Sequence, residues 1–101
     1  MHNKEAEHMP HATLKVGVGY PEELKQKLAD KVAGDIIETL GLDPMWVSVV
    51  IEEIPFPDWE QKVWNDELVA KKDRVYRAPG YDMSIDPTEK LKEQNWELRK
   101  E

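Results

Sequence analysis

The sequence predicts an α+β fold that is built on a βαβ unit and followed by a second helix. Three observations lead to this prediction: a short segment of alternating apolar residues, a long amphipathic segment that ends at a glycine, and a second short alternating segment. A strand, a helix and a strand in this order form a crossover unit, which is right-handed in nearly all proteins. We therefore expect two parallel strands lying side by side, with the long helix packed on one face.

The first strand is predicted just after Pro10. Apolar and polar residues alternate there, and the apolar positions are Ala12, Leu14, Val16 and Val18. A period of two is typical of a strand with one buried face. The nine residues before it are polar, charged and aperiodic, so residues 1–9 are predicted to form a disordered leader.

The long helix is predicted to begin at Pro21 and to end at Leu40. Proline suits the first helical position, and Glu22 and Glu23 lie where the helix dipole favours negative charge. Its apolar stripe has a helical period and consists of Leu24, Leu28, Val32, Ile36 and Leu40, widened by Ala29, Ala33 and Ile37. Gly41 is the expected end, because glycine enters the left-handed conformation at little cost.

The segment MWVSVVIEEI, residues 45–54, predicts the second strand, with Trp46 in the core at its entry. Asp58 and Gln61 then resemble a capping box, and the apolar spacing that follows predicts a second helix to about Arg77. Asp86 is predicted to cap a C-terminal helical extension over residues 84–101. Because two strands alone leave their edges unpaired, we expect a second copy of the chain to complete the sheet.

Composition narrows the classes of function. The chain has 101 residues, which predicts a single domain, and it contains no cysteine for disulfides or thiolate metal sites. A formal charge of −7 argues against nucleic acid as a partner. No apolar run is long enough for a membrane span or a secretory signal, so a cytoplasmic protein is expected. His8 and His11 lie three apart beside a proline and a strand, and no metal site is expected from them.

Several motifs occur in one order: MPH at 9–11, the helix KLADKVAGDIIETL, the strand VSVVIEEI, the stretch DWEQKVWNDEL and the turn PGYDM. In this order the chain resembles the tautomerase superfamily, and specifically the small members related to 4-oxalocrotonate tautomerase in their dimeric subgroup. The resemblance implies a tautomerase-like domain over residues 10–83 with a tautomerase/MIF-like fold. It further implies that protomers pair into a four-stranded sheet, as a homodimer rather than a hexamer, and that no cofactor is needed.

The resemblance implies that Pro10 is the general acid/base. In this family the initiator methionine is removed, and the secondary amine of the proline moves a proton between an enol oxygen and the neighbouring carbon. A free α-amino group titrates near roughly 7.7–8.0, and an apolar pocket lowers this value. Within a chain the proline nitrogen is an amide and cannot act as a base. The expected function is enol–keto tautomerisation of a small, phenylpyruvate-like 2-oxo acid, provided that the leader is absent.

Four further residues are candidate substrate contacts: His11, Ser48, Trp64 and Arg77. Ser48 stands where the founding tautomerase carries a substrate-binding arginine, which shifts the expected substrate from dicarboxylates toward a monoacid or an aryl pyruvate-like enol. Each of three residues could instead have a purely structural role. His11 could be a solvated strand residue, Trp64 could belong to the core or to a subunit interface, and Arg77 could be a solvated helix end.

Two other functions are compatible with the same residues. In one, the leader stays in place, Pro10 is blocked, and the chain forms a catalytically inactive tautomerase-fold oligomer that serves as a ligand-binding or structural module. In the other, the same proline performs hydration or dehalogenation. Related enzymes with that chemistry rely on additional arginine and carboxylate partners, which this sequence does not show at the matching positions.

Overall fold

The computed structural model describes residues 9–84, and these divide into two compact units that meet in sequence between Phe56 and Pro57. The first unit contains strand β1 (His11–Val16), helix α1 (Glu22–Leu40), a 3-10 turn (Pro44–Trp46) and strand β2 (Ser48–Glu53). This element order confirms the predicted βαβ unit and the α+β class. The predicted leader up to residue 8 and the predicted C-terminal helix from residue 85 lie outside the described residues.

The two strands are parallel neighbours, as predicted. Their register runs from the pair His11 and Ser48 to the pair Val16 and Glu53. Backbone hydrogen bonds continue the ladder at both ends: Ser48 N–H donates to the Pro10 carbonyl at 3.3 Å, and Ile54 N–H donates to the Val16 carbonyl at 2.8 Å.

The first strand is shorter than predicted. It ends at Val16, and Val18 is exposed in the turn that follows. Gly19 has φ 120° there, a backbone conformation that side chains with a Cβ rarely adopt. The chain therefore turns away from the sheet before the alternating pattern has finished, and the prediction of Val18 as a strand residue was wrong.

The predicted alternation is confirmed over the first four residues of each strand. Ala12 and Leu14 on β1 are half-buried, as are their register partners Val49 and Ile51 on β2, and these residues share the face toward α1. The opposite face carries exposed side chains, among them His11, Thr13, Ser48, Val50 and Glu52. One face of the sheet is thus covered by the helix, while the other is open within this unit.

Helix α1 ends where the sequence predicted. Gly41 has φ 66° in the left-handed region, and its N–H donates to the Ile37 carbonyl at 2.9 Å. The predicted apolar stripe is only partly covered. Its half-buried members are Ala29, Val32, Ala33, Ile36 and Ile37, whereas Leu24, Leu28 and Leu40 are exposed. Two strands are too narrow a surface to cover a stripe of this width.

The second helical segment differs from the prediction at both ends. An α-helical turn, α2 (Phe56–Trp59), leads into a π-helix over Glu60–Val69, and a separate 3-10 turn follows at Lys72–Arg74. The helix begins before Asp58, so the predicted capping box at Asp58 was wrong. Pro57 is tolerated in the first turn because the N–H that it lacks would have no helical acceptor there.

The π-helix has hydrogen bonds between residues five apart. Ala70 N–H donates to the Asn65 carbonyl at 3.0 Å, and the side-chain amide of Gln61 donates to Asp66 at 2.9 Å. The half-buried residues of this segment, from Trp59 onward, are Trp59, Val63, Trp64, Glu67 and Leu68. Trp59 and Trp64 lie five residues apart, as do Val63 and Leu68, and this spacing fits the π turn, which is wider than the α-helical period of about 3.6 residues.

Complete burial is confined to few apolar side chains. Across residues 9–84 the hydrophobic residues classed as buried are Ile54, at 1% exposure, and Met83, at 7%. Trp46, which was predicted to be core, lies half-buried in the 3-10 turn before β2. Within the same residues, no helix has the length and apolar character that crossing a membrane requires.

Candidate active site

Pro10 is half-buried and lies directly before β1. Its carbonyl accepts the hydrogen bond from Ser48 N–H that opens the strand ladder, so the position of the proline is fixed relative to β2. Met9, the residue before it, is 69% exposed and has φ 87°, a conformation that is costly for residues other than glycine. The peptide bond that would have to be broken to free the proline nitrogen therefore follows an exposed, strained residue.

The side chains of His11 and Ser48, both predicted substrate contacts, meet on the open face of the sheet. His11 Nδ1 lies 2.7 Å from Ser48 Oγ, and His11 Nε2 lies 3.1 Å from Thr13 Oγ1. The parallel register places His11 and Ser48 directly opposite each other. Strand pairing thus brings a hydroxyl and an imidazole together at residues adjacent to Pro10.

Trp64 and Arg77, the other predicted contacts, belong to the second unit. The ring centroid of Trp64 lies 5.9 Å from that of Tyr81 at an interplanar angle of 41°, and the Tyr81 hydroxyl accepts a 2.9 Å hydrogen bond from the indole N–H of Trp59. Arg77 is exposed and lies beyond the 3-10 turn, so its predicted place at the end of a helix was wrong. The helical pattern stops at Val69, eight residues earlier.

Two residues at these clusters had no role in the sequence prediction. Thr13 holds the second nitrogen of His11, and Tyr81 joins the two tryptophans. The sequence contained a feature that could have identified each of them. Residues two apart on a strand share a face, which places Thr13 beside His11, and Tyr81 is the aromatic residue of the PGY turn that carried the family resemblance.

The chemistry available at this site depends on the nitrogen of Pro10. As an amide it offers no base, whereas as a free secondary amine it offers one base beside a hydroxyl and an imidazole. A free Pro10 amine beside these two groups would be suited to proton transfer. Among the described residues, no group of three His, Asp or Glu side chains is arranged to hold a metal ion.

Proteins named as tautomerases match most of the chain. A probable tautomerase from Xylella fastidiosa is 38% identical over 81 residues, which is 80% of this chain and 99% of that protein. The chain belongs to the tautomerase superfamily. The tautomerase PptA of Cronobacter sakazakii is 33% identical over 79 residues and is matched over its whole length, and that of Escherichia coli K12 is 28% identical over 80 residues.

One solved structure also shows similarity to this chain. The crystal structure of YwhB, a homologue of 4-oxalocrotonate tautomerase, is 35% identical, and the match covers 46% of this chain and 75% of that chain with a TM-score of 0.45. No family model matches the sequence. The predicted membership of the tautomerase superfamily is confirmed by the curated relatives, and this tautomerase is accordingly an enzyme of the isomerase class.

Proposed function

We propose that this tautomerase interconverts the enol and keto forms of a small, phenylpyruvate-like 2-oxo acid, with Pro10 as the general acid/base. The proposal requires Pro10 to be the N-terminal residue of the mature protein. A single observation carries it: Pro10 is half-buried at the start of β1 and is hydrogen-bonded to β2 at Ser48, with His11 and Ser48 in contact beside it.

The physical basis is the basicity of the amine. A free α-amino group is basic near neutral pH, and partial burial disfavours its charged form. A base of this strength both accepts a proton from the enol oxygen and returns one to the neighbouring carbon. The rigid ring directs the lone pair of the nitrogen, which reduces the ordering that the reaction requires. No cofactor takes part in this mechanism.

The substrate class rests on the residues next to the proline. Ser48 and His11 offer a hydroxyl and an imidazole in place of a fixed guanidinium, so this part of the site suits one enolised 2-oxo acid group without a second carboxylate. In the second unit, Trp64 and Arg77 remain proposed substrate contacts. Their substitution should raise KM for an aryl substrate, and an unchanged KM would remove them from the site.

A homo-oligomer, with a dimer favoured over a hexamer, is part of the proposal. Leu24, Leu28 and Leu40 on α1 are exposed, as is Val50 on the open face of the sheet, and a two-stranded sheet has two unpaired edges. A second copy of the chain would cover apolar surface and extend the sheet to four strands. Sedimentation equilibrium tests the state directly, and a monomer at micromolar concentration would contradict it. A cytoplasmic location is proposed with it.

The mass of the natural N-terminus, together with an enol-ketonisation assay on phenylpyruvate, tests the proposal. A protein that begins at Pro10 and turns over the enol, with activity lost in Pro10→Ala, would support it. A protein that retains the preceding residues, folds and binds aryl acids without turnover would instead be the inactive oligomer that serves as a ligand-binding or structural module.

A further inference from the structure

The imidazole of His11 is held at both of its nitrogens. Ser48 Oγ lies 2.7 Å from Nδ1, and Thr13 Oγ1 lies 3.1 Å from Nε2. One hydroxyl comes from each strand, and the parallel register fixes both relative to the ring. A ring with two partners has a defined orientation, and the remaining question is which nitrogen carries the proton.

A neutral imidazole has one donor and one acceptor, whereas a hydroxyl can be either. Hydroxyl donors lie roughly 2.5–3.0 Å from their acceptors, and N–H donors lie roughly 2.7–3.2 Å from theirs. The 2.7 Å contact at Ser48 falls in both ranges, near the commonest hydroxyl distance, whereas the 3.1 Å contact at Thr13 falls only in the N–H range. The distances thus favour donation from Ser48 to Nδ1 and from Nε2–H to Thr13.

We propose that Thr13 is a positioning residue that keeps the proton of His11 on Nε2. The Ser48 proton then points to the imidazole, and the Ser48 oxygen presents lone pairs to a ligand. This inference rests on the proposed function for its consequence: Ser48 accepts a hydrogen bond from the enol hydroxyl of the substrate. In the opposite tautomer, with the proton on Nδ1, the imidazole would donate to Ser48. The Ser48 hydroxyl would then be able to donate to a carboxylate, and the site would favour carboxylates over enols.

The tautomer is measurable without substrate. Long-range ¹H–¹⁵N NMR of the full chain at alkaline pH distinguishes the two ring nitrogens, and His11→Gln identifies the signals of His11 among the three histidines. We expect the Nε2–H pattern in the wild type, a shift toward Nδ1–H in Thr13→Val, and the wild-type pattern in Thr13→Ser. Thr39→Val, the same substitution on α1, should change nothing. An Nδ1–H wild type, or a Thr13→Val spectrum equal to the wild type, would overturn the proposal.

A second readout separates positioning from general damage. Valine is nearly isosteric with threonine and favours strands, so Thr13→Val should keep the fold. In protein that begins at Pro10, we expect Thr13→Val to raise KM for the phenylpyruvate enol by roughly three- to tenfold with little change in kcat. Binding of benzoate, a carboxylate that cannot enolise, should become tighter, because the Ser48 proton is released toward it.

The outcomes distinguish this inference from the proposed function. Equal weakening of enol and benzoate binding in Thr13→Val would overturn the positioning role. If the wild-type protein that begins at Pro10 shows no turnover, the proposed function fails, and the NMR comparison still decides whether Thr13 fixes the tautomer.

Discussion

The ammonium group of Lys25 on α1 lies 2.8 Å from a carboxylate oxygen of Glu53 at the end of β2. A carboxylate oxygen of Glu22 lies 2.9 Å from the same ammonium group, and the Lys25 side chain is only 17% exposed. Hydrogen bonds to Glu53, and secondly to Glu22, raise the pKa of Lys25 above its ordinary value of 10.5. This cation therefore links the helix to the strand across the covered face of the sheet.

Removing that cation should make stability less dependent on pH. Because the folded-state pKa of Lys25 is raised, its contribution is complete below the ordinary value of 10.5 and is lost as pH rises through the raised value. We expect Lys25→Met to lower Tm at neutral pH and to flatten the fall in Tm between about pH 9 and 12. Lys27→Met, on an exposed position of α1, is the control. Equal pH dependence in the wild type and Lys25→Met would contradict the link.

Replacing two glycines of the first unit by alanine should change the stability of the protein in opposite directions. Gly41 has φ 66°, which is strained for alanine, so Gly41→Ala should lower the free energy of unfolding by about 1 kcal/mol. Gly34 lies inside α1, and a Cβ added there meets no atom within 4 Å. Gly34→Ala should therefore raise the free energy of unfolding by about 0.5–1 kcal/mol. Urea denaturation measures the free energy of unfolding of both variants. If both substitutions changed it in the same direction, the left-handed conformation of Gly41 at the end of α1 would be contradicted.

The Tyr81 hydroxyl should stabilise the second unit. It accepts a 2.9 Å hydrogen bond from the part-buried indole of Trp59. Tyr81→Phe leaves that N–H without this acceptor, and we expect a loss of about 1 kcal/mol in the free energy of unfolding. Tyr76→Phe is the matched control, because Tyr76 is 97% exposed. Stability is measured by denaturation, with tryptophan fluorescence as the signal. Equal stability of the two variants would contradict the expectation.

Ser48→Arg should shift substrate preference toward dicarboxylates. A guanidinium binds a carboxylate with two hydrogen bonds, which a serine cannot do. We expect the ratio of kcat/KM for a dicarboxylate enol to that for phenylpyruvate enol to rise by about tenfold or more. Thr39→Arg places the same charge on an exposed position of α1 and is the control. If both variants shift the ratio equally, general charge and not the position of Ser48 would explain the change.

The first unit could be predicted from the sequence because its signals are local and agree with one another. The alternation of apolar residues predicted the two strands. Gly41 predicted the end of α1, and in the structure this glycine has φ 66°. The sequence analysis placed His11 and Ser48 on two parallel strands but did not predict that they lie opposite each other in the register. The contact between their side chains could not be predicted, since it depends on register to a single residue.

The second unit was harder to predict because its helix is not an α-helix. The apolar residues Trp59, Val63, Trp64 and Leu68 were interpreted as the stripe of an ordinary α-helix. π-helical stretches are rare, so an α-helical assumption dominates any sequence-based interpretation. The role of Tyr81 also depended on a contact with a residue 22 positions away, which local patterns do not encode.

The most direct test of Pro10 compares two chains that differ only in what precedes it. One is the full 101-residue chain, in which the nitrogen of Pro10 is an amide, and the other begins at Pro10 with a free amine. With both folded to the same extent by circular dichroism, we predict that the second ketonises phenylpyruvate enol at least about 100-fold faster, as is typical when a general acid/base is supplied. Equal rates in the two chains would contradict proline catalysis.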